Sequence, residues 1–301
     1  MPIYRTAIVT GSAGFIGKLL VEQLKAESWE VVEVELSAGQ SSVSPEAIIM
    51  QINSGEFNPG NTTFFHLGAD ANAAATNISD LYFSNVELTQ EYFEATSKKR
   101  IPTIFISSAA IYGNYEENPS LSPYAQSKVL GENTLSELRM VRDWPAMIFR
   151  LFNTYGPGEG KKGSMVSIPR KFIDSAKESQ VIEIWDVSKK EVQSRDFVEV
   201  GDVVTVLCDA ATSGAPHNRG IFDLGTGNSV GYTKIAELIT KEIPAKIEYI
   251  PFPSTQDLNF YQVKTRALTR YQMNNNPDFR YATIEQGLRK YISRILSGDN
   301  S

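Results

Sequence analysis

The sequence predicts an α/β protein with a doubly wound parallel sheet and a smaller C-terminal lobe. Short apolar runs rich in β-branched residues alternate with segments of helical periodicity through the first half of the chain. A glycine-rich stretch follows the first of these runs. After residue 150 the alternation gives way to a glycine-rich loop and mixed short elements. Strands and helices that alternate in this way are typical of a parallel sheet with right-handed crossovers and helices on both faces.

The individual elements follow from these patterns. Strands are predicted at residues 3–9, 30–35, 63–66, 102–107 and 146–150, with helices at residues 15–26, 80–97 and 123–141 between them. Residues 37–61 are rich in Ser, Gly, Asn and Pro and are interpreted as loops around a poor strand at residues 47–52. After residue 150 a glycine-rich loop precedes mixed short elements and a helix near residues 284–296.

The composition limits the class of protein. The 301 residues are 42% hydrophobic, which is ordinary for a soluble globular chain with a sizeable core. A net charge of −6 argues against a nucleic-acid-binding surface, which carries a basic excess. The single cysteine, Cys208, rules out an intramolecular disulfide, and only two histidines accompany it, so we expect no zinc site. Without a long apolar run or a signal peptide pattern, we expect a cytoplasmic protein with no membrane partner.

The stretch TGSAGFIG predicts a Rossmann-like dinucleotide-binding turn between the first strand and the first helix. In such a turn one glycine bends the chain, the next lets the backbone approach a pyrophosphate and the third lets helix and strand pack closely. The spacing here is G-x-x-G-x-x-G, and a plain turn is the alternative. The predicted cofactor contacts are Gly11, Gly14, Phe15, Ile16 and Gly17.

The end of the second strand predicts which dinucleotide binds. Glu35 follows Gly17 by 18 residues, near the roughly 20 expected for a carboxylate that holds a ribose 2′-hydroxyl. A solvated strand end is the alternative for this residue. Glu35 would repel a 2′-phosphate, and no Lys or Arg lies between residues 31 and 60 to receive one. The sequence therefore predicts NAD in preference to NADP, with residues 1–150 as the dinucleotide-binding domain, later segments returning to it, and residues 151–301 mainly as a substrate-binding lobe.

The stretch PYAQSK predicts an acid/base group. Tyr124 and Lys128 stand four residues apart on a predicted helix and therefore share one face. A tyrosine is a poor base at neutral pH, and a nearby ammonium group is expected to lower its pKa. Upstream, Ser108 stands at the C-terminal end of a strand, where open parallel sheets place their ligands. Its hydroxyl can hold the substrate oxygen whose proton Tyr124 exchanges.

Eight stretches occur in a characteristic order: TGSAGFIG, FHLGA, SNVELTQ, SSAAIYG, YAQSK, RLFNTYGPGEG, RDFVEVGDV and FDLGTGN. Through them almost the whole chain resembles the extended short-chain dehydrogenase/reductase superfamily, whose members act on nucleotide sugars. The resemblance implies that Ser108, Tyr124 and Lys128 form the catalytic triad. It also implies an active-site support at Asn85, a residue facing nicotinamide or substrate at Asn153, and a homodimer or higher homo-oligomer built from helices 80–97 and 123–141. Further implied contacts along the cofactor are His66, Leu67, Gly68, Ala69 and Ser107, although a packed strand histidine is the alternative for His66.

The second half contains YGPGEGKKGSM, SRDFVEVGDV, GIFDLGTGN and IEYIPFPS followed by YQVKT. In these stretches the chain is similar to the ADP-glycero-manno-heptose 6-epimerases of lipopolysaccharide synthesis. The similarity implies a second acid/base at Lys162 and an arginine that meets the substrate diphosphate at Arg195. Further implied substrate contacts are Ser164, Tyr261 and Gln262. A solvated lysine pair at residues 161–162 and a structural Arg195–Asp196 ion pair are the alternatives.

Some positions depart from the related families. The stretch DANAAAT stands where the heptose epimerases carry a Ser/Thr-rich substrate segment, and Phe260 stands where they have an arginine. Ala109 and Ala110 replace the Asp-Glu pair that sugar 4,6-dehydratases need, and Cys208 is far from the serine beside which GDP-fucose synthases place a cysteine. Both of those activities are therefore disfavoured.

The prediction is a nucleotide-sugar epimerase that works by transient oxidation and re-reduction with tightly bound NAD. A UDP-hexose 4-epimerase and a keto-sugar-nucleotide reductase of the same superfamily stay open. The alternative from another class is a catalytically silent dinucleotide-sensing module, against which the intact Ser108, Tyr124 and Lys128 set argues.

Overall fold

The computed structural model describes residues 5–37, 39, 41–71, 77–113, 121–186, 193–214, 219–252 and 262–298. The chain divides into two units. The first unit comprises Met1–Ile111, Leu121–Arg150 and Val204–Phe222, and the second comprises Tyr112–Ser120, Leu151–Val203 and Asp223–Ser301.

Strands and helices alternate along the described chain. The strands are β1 (Thr6–Thr10), β2 (Glu30–Val34), β3 (Thr62–His66), β4 (Thr103–Ser108), β5 (Ala146–Leu151), β6 (Asn153–Tyr155), β7 (Val181–Asp186), β8 (Ser194–Glu199), β9 (Gly220–Leu224), β10 (Ser229–Gly231) and β11 (Lys246–Pro251). The α-helices are α1 (Phe15–Ala26), α2 (Pro45–Ser54), α3 (Ile78–Tyr82), α4 (Leu88–Lys99), α5 (Pro123–Val141), α6 (Ile168–Glu178), α7 (Val200–Asp209), α8 (Tyr232–Thr240), α9 (Arg270–Asn275) and α10 (Ile284–Leu296). Short π-helical segments lie at Phe83–Glu87 and Ala210–Gly214, and 3₁₀ segments at Ala109–Tyr112 and Glu159–Met165.

A six-stranded sheet in the order β2-β1-β3-β4-β5-β9 forms the centre of the first unit. Strand β1 pairs in parallel with β2 and β3, and β3 pairs in parallel with β4. This order reverses direction at β1 and β3, so the ends of β1, β3 and β4 lie beside one another where such sheets bind ligands. The predicted doubly wound α/β fold is confirmed.

The core of the first unit joins this sheet to α2, α4 and α5. Strand residues, helix residues and the indole of Trp144 are buried together in one cluster. Members that are at most 1% exposed include Phe64, Phe93, Phe105, Trp144, Ile8, Ile48 and Leu135. Phe93 meets Phe105 edge to face, with ring centroids 5.2 Å apart. These aromatic contacts fix the separation between α4 and β4.

The second unit has its own small sheets and core. Strands β10, β8 and β6 form one sheet, with β10 antiparallel and β6 parallel to β8, while β11 pairs in parallel with β7. Buried side chains from α6, α8 and α10 form one apolar cluster with these strands. Gly287 of α10 is needed there, because a Cβ at this position would lie 1.9 Å from the Tyr155 hydroxyl oxygen.

The interpretation of residues 47–52 as a poor strand is wrong, because these residues belong to α2. Ser44 caps the helix by accepting a hydrogen bond from Ala47 N, Pro45 occupies the first turn, and Gly55 ends it in the left-handed conformation. Ile48 and Ile52, four residues apart, are both buried. The surrounding Ser, Gly and Pro were therefore helix boundary signals and not marks of an irregular loop.

The predicted helix at residues 80–97 is also interrupted. The segment Phe83–Glu87 between α3 and α4 is π-helical, a local widening that occurs often at functional sites. By contrast, the predicted bounds of α1, α5 and α10 agree with the structure.

No helix within the described ranges has the length and apolar character needed to cross a membrane. Those same ranges contain no cluster of three or more His, Cys, Asp or Glu side chains arranged to hold a metal ion.

The packing of α2 predicts an asymmetric response to truncation. Ile48→Ala should lower the free energy of unfolding by about 2–5 kcal/mol, because it removes a completely buried side chain. Met50→Ala is the matched control, since Met50 is 71% exposed, and its change should stay within about 0.5 kcal/mol. Urea titration followed by circular dichroism measures both values. Equal losses for the two variants would contradict the helical placement of this segment.

Candidate active site

The glycine turn after β1 is a close-packed cradle. Gly11 has a φ of +68°, and a Cβ there would lie 2.7 Å from Gly68 Cα, beyond the end of β3. A Cβ at Gly17 would lie 2.0 Å from Gly11 O. Gly14 N donates to Gly11 O over 3.1 Å, and Gly14 caps α1 without a side-chain hydrogen bond. The turn thus brings backbone close to the N-terminus of α1, which suits a pyrophosphate.

The carboxylate of Glu35 lies against this turn. Its Oε1 accepts hydrogen bonds from Ser12 Oγ at 2.8 Å and from Ala13 N at 2.5 Å. Leu36, the next residue, is 61% exposed. The carboxylate therefore sits at the edge of the glycine cradle, where a ribose hydroxyl could reach it, and not in open solvent.

A cavity of about 260 Å³ opens beside the cradle. Gly11 and Gly14 line one side, and Glu35, Gly68, Ala69 and Asp70 line much of the rest. No Lys or Arg stands among the described residues that line it. The close backbone, the helix N-terminus and the carboxylate fit a dinucleotide, and the negative lining favours one without a 2′-phosphate.

His66 has a packing role. Its ring is 1% exposed and stacks on Phe105 with centroids 5.4 Å apart. Nδ1 lies 2.7 Å from Thr10 Oγ1 and Nε2 lies 2.8 Å from Thr89 Oγ1. Burial, with a smaller effect from Lys128, lowers the pKa of His66 to about 3, so the ring is neutral. Both ring nitrogens are used inside the protein, and the histidine holds the end of β3 in place.

Thr10, which the sequence analysis did not single out, connects these parts. Its hydroxyl oxygen accepts a hydrogen bond from Gly68 N at 3.0 Å as well as contacting His66. Its position directly before Gly11 was the signal by which the sequence could have identified Thr10. Leu67, Gly68 and Ala69 follow β3 and are partly exposed, and Gly68 and Ala69 line the cavity.

Ser108, Tyr124 and Lys128 belong to the same unit. The Ser108 side chain lies close enough to the Tyr124 phenol to lower its pKa as a hydrogen-bonding neighbour, and the Ser108 hydroxyl oxygen accepts a hydrogen bond from Ala110 N at 3.1 Å. Ser122 caps α5 through Ala125 N, with Pro123 in the first turn, so the helix begins directly before Tyr124. The serine at the end of β4 and the tyrosine in the first turn of α5 form a pair that can bind one oxygen and exchange its proton.

Lys128 does not have the expected effect on Tyr124. Its Nζ donates to Ile106 O over 3.0 Å and lies 5.0 Å from the centre of the Phe105 ring. The pKa of Tyr124 is raised by burial, which outweighs the hydrogen bond from Ser108, and the charge of Asp70 raises it further. Burial lowers the pKa of Lys128 to about 8, although the charge of Glu132 acts in the opposite direction. In this arrangement Tyr124 is a neutral phenol, able to donate a proton.

Asn85 supports the site from the π-helical segment. Its Oδ1 accepts from Asp70 N at 2.7 Å, and its Nδ2 donates to Asp70 O at 2.9 Å. Nδ2 also donates to Ser127 Oγ at 3.1 Å, and Ser127 Oγ donates to Tyr124 O at 2.7 Å. The side chain thus links the segment after β3 to the helix that carries Tyr124.

Ser107 contacts a partly buried ion pair. Its hydroxyl donates to Glu132 Oε1 over 2.6 Å, and Arg150 Nη2 meets Glu132 Oε2 at 2.7 Å. Glu132 stands four residues after Lys128, on the same face of α5. The sequence analysis missed Glu132 and Arg150. The repeat of Tyr, Lys and Glu at intervals of four was the signal that could have found the glutamate.

The second unit carries the predicted substrate residues. Asn153 Nδ2 donates to Thr265 Oγ1 at 3.2 Å and to Asp196 O at 3.4 Å. The Asp196 carboxylate instead accepts bonds from Thr226, Gly227 N and Ala267 N. The guanidinium of Arg195 lies 5.8 Å from the centre of the Tyr232 ring. Asp196 is therefore satisfied by neutral donors on neighbouring segments.

Lys162 lies in the 3₁₀ segment Glu159–Met165 of the second unit. Burial lowers its pKa, and the charge of Glu159 acts in the opposite direction. Glu159 is completely buried and accepts bonds from Gly156 N, Ser167 N and Ser167 Oγ. Gln262 Nε2 donates to Gly113 O at 2.9 Å. Tyr261 and the side chain of Ser164 lie outside the described part of the chain.

Solved structures with the same fold include three nucleotide-sugar proteins. MoeE5, solved in complex with UDP-glucose and NAD, has a TM-score of 0.78 at 22% identity, covering 97% of this chain and 99% of its own. ADP-L-glycero-D-manno-heptose-6-epimerase from Helicobacter pylori has a TM-score of 0.79 at 20% identity, covering 98% and 97%. UDP-glucose 4-epimerase from Thermotoga maritima has a TM-score of 0.80 at 20% identity, covering 97% and 99%. At these identities the similarity shows the fold.

The sequence itself gives the more direct comparison. A family profile described as the NAD dependent epimerase/dehydratase family matches residues 7–225. The matched range contains the glycine cradle, the Ser108–Tyr124 pair and Lys128. By this match over most of its length, the chain belongs to the NAD dependent epimerase/dehydratase family.

Proposed function

We propose that this chain is a nucleotide-sugar epimerase that oxidises its substrate transiently with bound NAD and then reduces it again. The placement of Ser108 at the end of β4 and of Tyr124 in the first turn of α5, in the unit that holds the glycine cradle, is the observation that carries the proposal. Residues 109–110 are alanines and supply no acid for elimination of water, which favours epimerisation over dehydration. The preferred substrate is an ADP-glycero-manno-heptose. This preference rests on the similarity in sequence that implies substrate contacts at Lys162, Ser164, Arg195 and Tyr261.

The roles of the residues follow from their chemistry. NAD supplies the hydride acceptor and donor when it is bound. Ser108 orients the reacting oxygen of the sugar, and Tyr124 takes or returns the proton at that oxygen. Lys128, 4% exposed and held by Ile106 O, keeps its position on the face of α5 below Tyr124 and can bind a ribose hydroxyl. Asn85 holds the segment after β3 in register with α5.

Epimerisation places a second demand on the site. Reduction must reach both faces of one carbon, so the carbonyl oxygen of the intermediate points in two directions. Either the sugar pivots back to Tyr124 or a second group donates the proton. We assign the second role to Lys162, because burial lowers its pKa and so makes proton donation easier than for a solvated lysine.

We also propose a homodimer or higher homo-oligomer that pairs the helices of residues 78–99 with α5. Ile78, Tyr82, Phe83 and Leu130 on these helices are exposed large apolar side chains. Burial between two subunits would remove them from water.

The function itself is tested by mass spectrometry of ligand that copurifies with the protein, followed by assays of epimer formation on a panel of nucleotide sugars. An ADP-heptose that is converted to its 6-epimer supports the proposal. Conversion of UDP-glucose to UDP-galactose alone would favour the 4-epimerase, and net reduction of a keto-sugar nucleotide would favour the reductase. Bound dinucleotide without turnover of any sugar would favour the sensing module.

The cofactor preference predicts tighter binding of NADH than of NADPH. Glu35→Gln should reduce this preference by about fivefold or more, since a charge next to a phosphate costs about 1 kcal/mol in a solvated site. Glu30→Gln is the control, because Glu30 is exposed at the start of β2. Fluorescence titration with both reduced cofactors measures the effect. Tighter binding of NADPH to the unchanged protein would contradict the assignment.

The acid/base role of Tyr124 predicts a selective loss. Tyr124→Phe should lower kcat by about 10²–10⁴-fold, because the proton has no other carrier at this position. Its affinity for NADH should stay within about twofold, because Tyr124 is not part of the glycine cradle that binds the phosphates. Tyr82→Phe, at an exposed position of α3, is the control. A variant that keeps more than about a tenth of the kcat would show that Tyr124 does not carry the proton.

The second acid/base predicts that Lys162→Met blocks epimerisation of the sugar nucleotide. Dismutation of an aldehyde analogue should continue at least in part, since one half-reaction needs only Tyr124. Lys171→Met, on the exposed face of α6, is the control. If Lys162→Met epimerises the sugar nucleotide at the rate of the unchanged protein, one group serves both orientations of the carbonyl oxygen. A UDP-hexose 4-epimerase that uses Tyr124 alone would then be the better account.

A further inference from the structure

Asp70 brings a second carboxylate to the cavity that Glu35 also lines. It follows β3 and begins the stretch DANAAAT, which the proposed reaction has not used. Asp70 lines the cavity together with Gly11 and Gly14, and its charge acts on Tyr124. Glu35 lies at the cradle, whereas Asp70 lies where its charge reaches the catalytic hydroxyl.

The position of Asp70 is set by its main chain. Asn85 holds both Asp70 N and Asp70 O, at 2.7 and 2.9 Å, and also holds Ser127 Oγ. Ser127 in turn contacts Tyr124 O. Because these contacts use backbone atoms of Asp70, a change of its side chain leaves them in place. The Asp70 backbone is thus held in one place relative to α5.

The groups around Tyr124 come from three elements. Ser108 at the end of β4 contributes a hydroxyl, and Asp70 after β3 contributes a negative charge. Lys128 stands on the same helix as Tyr124, but its Nζ is directed to Ile106 O, and Glu132 farther along α5 is paired with Arg150. Asp70 is therefore the one carboxylate that acts on Tyr124 among the described residues.

We propose that Asp70 is a specificity-determining residue of the cofactor site that favours the oxidised, cationic dinucleotide over the reduced, neutral one. The inference rests on the proposed use of NAD. The reacting end of a dinucleotide must approach Tyr124, since that residue exchanges the proton of the reacting group. A carboxylate that lines a partly enclosed cavity stabilises a positive ring more than a neutral one.

This preference suits the proposed epimerase. Each completed cycle returns the cofactor to its oxidised form, so the resting protein must hold that form. A site that binds the reduced form more tightly would trap the protein whenever a keto-sugar escaped before it was reduced. The carboxylate of Asp70 shifts the balance away from this trapped state.

The test compares dissociation constants of NAD⁺ and NADH, measured by isothermal titration calorimetry. Asp70→Asn should weaken NAD⁺ relative to NADH by about tenfold, and Asp70→Glu should restore most of the preference. Glu137→Gln removes the same charge from an exposed position on α5 and should leave the ratio unchanged. If Asp70→Asn does not fold, Asp70→Ser gives the same comparison. An unchanged ratio would overturn the proposal.

A second readout needs no cofactor. Ultraviolet titration, with Tyr124→Phe as the reference that identifies the signal, should show a lower pKa for Tyr124 in Asp70→Asn than in the unchanged protein. An unchanged pKa would mean that the charge does not reach the site, and it would overturn the proposal. Failure of the unchanged protein to bind either NAD⁺ or NADH would instead reject the proposed function, and the preference with it.

Discussion

The attachment of α5 to β4 and β5 is the contact on which the positions of Ser108 and Tyr124 depend. Lys128 binds the carbonyl of Ile106, and Glu132 binds Ser107 and Arg150. Lys128 and Glu132 are buried and Arg150 is partly buried, so removing a partner of Lys128 or Glu132 would leave a poorly compensated charge. The helix therefore cannot slide or rotate on the strand without losing them. This restriction keeps Tyr124 beside Ser108.

The glycine cradle is also restricted by its contacts, but here the restriction comes from close backbone packing and not from charged groups. Cβ atoms at Gly11 or Gly17 would collide with neighbouring backbone, so the turn, α1 and the end of β3 can approach only in the absence of side chains. Thr10 adds polar contacts across this junction, to His66 and to Gly68 N. Close packing after β1 and β3 and the ionic contacts at the end of β4 thus meet at the same edge of the sheet. The result is a preformed cavity that Glu35 and Asp70 line.

Much of the fold follows from local patterns in the sequence. Apolar periodicity predicts α1, α5 and α10 with the bounds that the structure shows. The glycine spacing and the Tyr-x-x-x-Lys interval identify candidate residues because each pattern lies within a single turn or helix face. The helix α2 could also have been predicted, since Ser44, Pro45 and Gly55 mark its ends. The Ser, Gly, Asn and Pro content of residues 37–61 predicted loops there, although the local boundary signals indicated a helix.

The direction of each side chain was decided only by the tertiary structure. The sequence by itself determined which chemical groups stand at strand ends and on helix faces. It did not determine that Lys128 turns to Ile106 O, that both nitrogens of His66 bind threonines, or that Asn85 holds the backbone of Asp70. These partners are far apart along the chain, as Thr10 and His66 are, and they meet only when the sheet has formed. Local patterns carry no information on such pairs, because the partner of a polar group depends on which other elements pack against it.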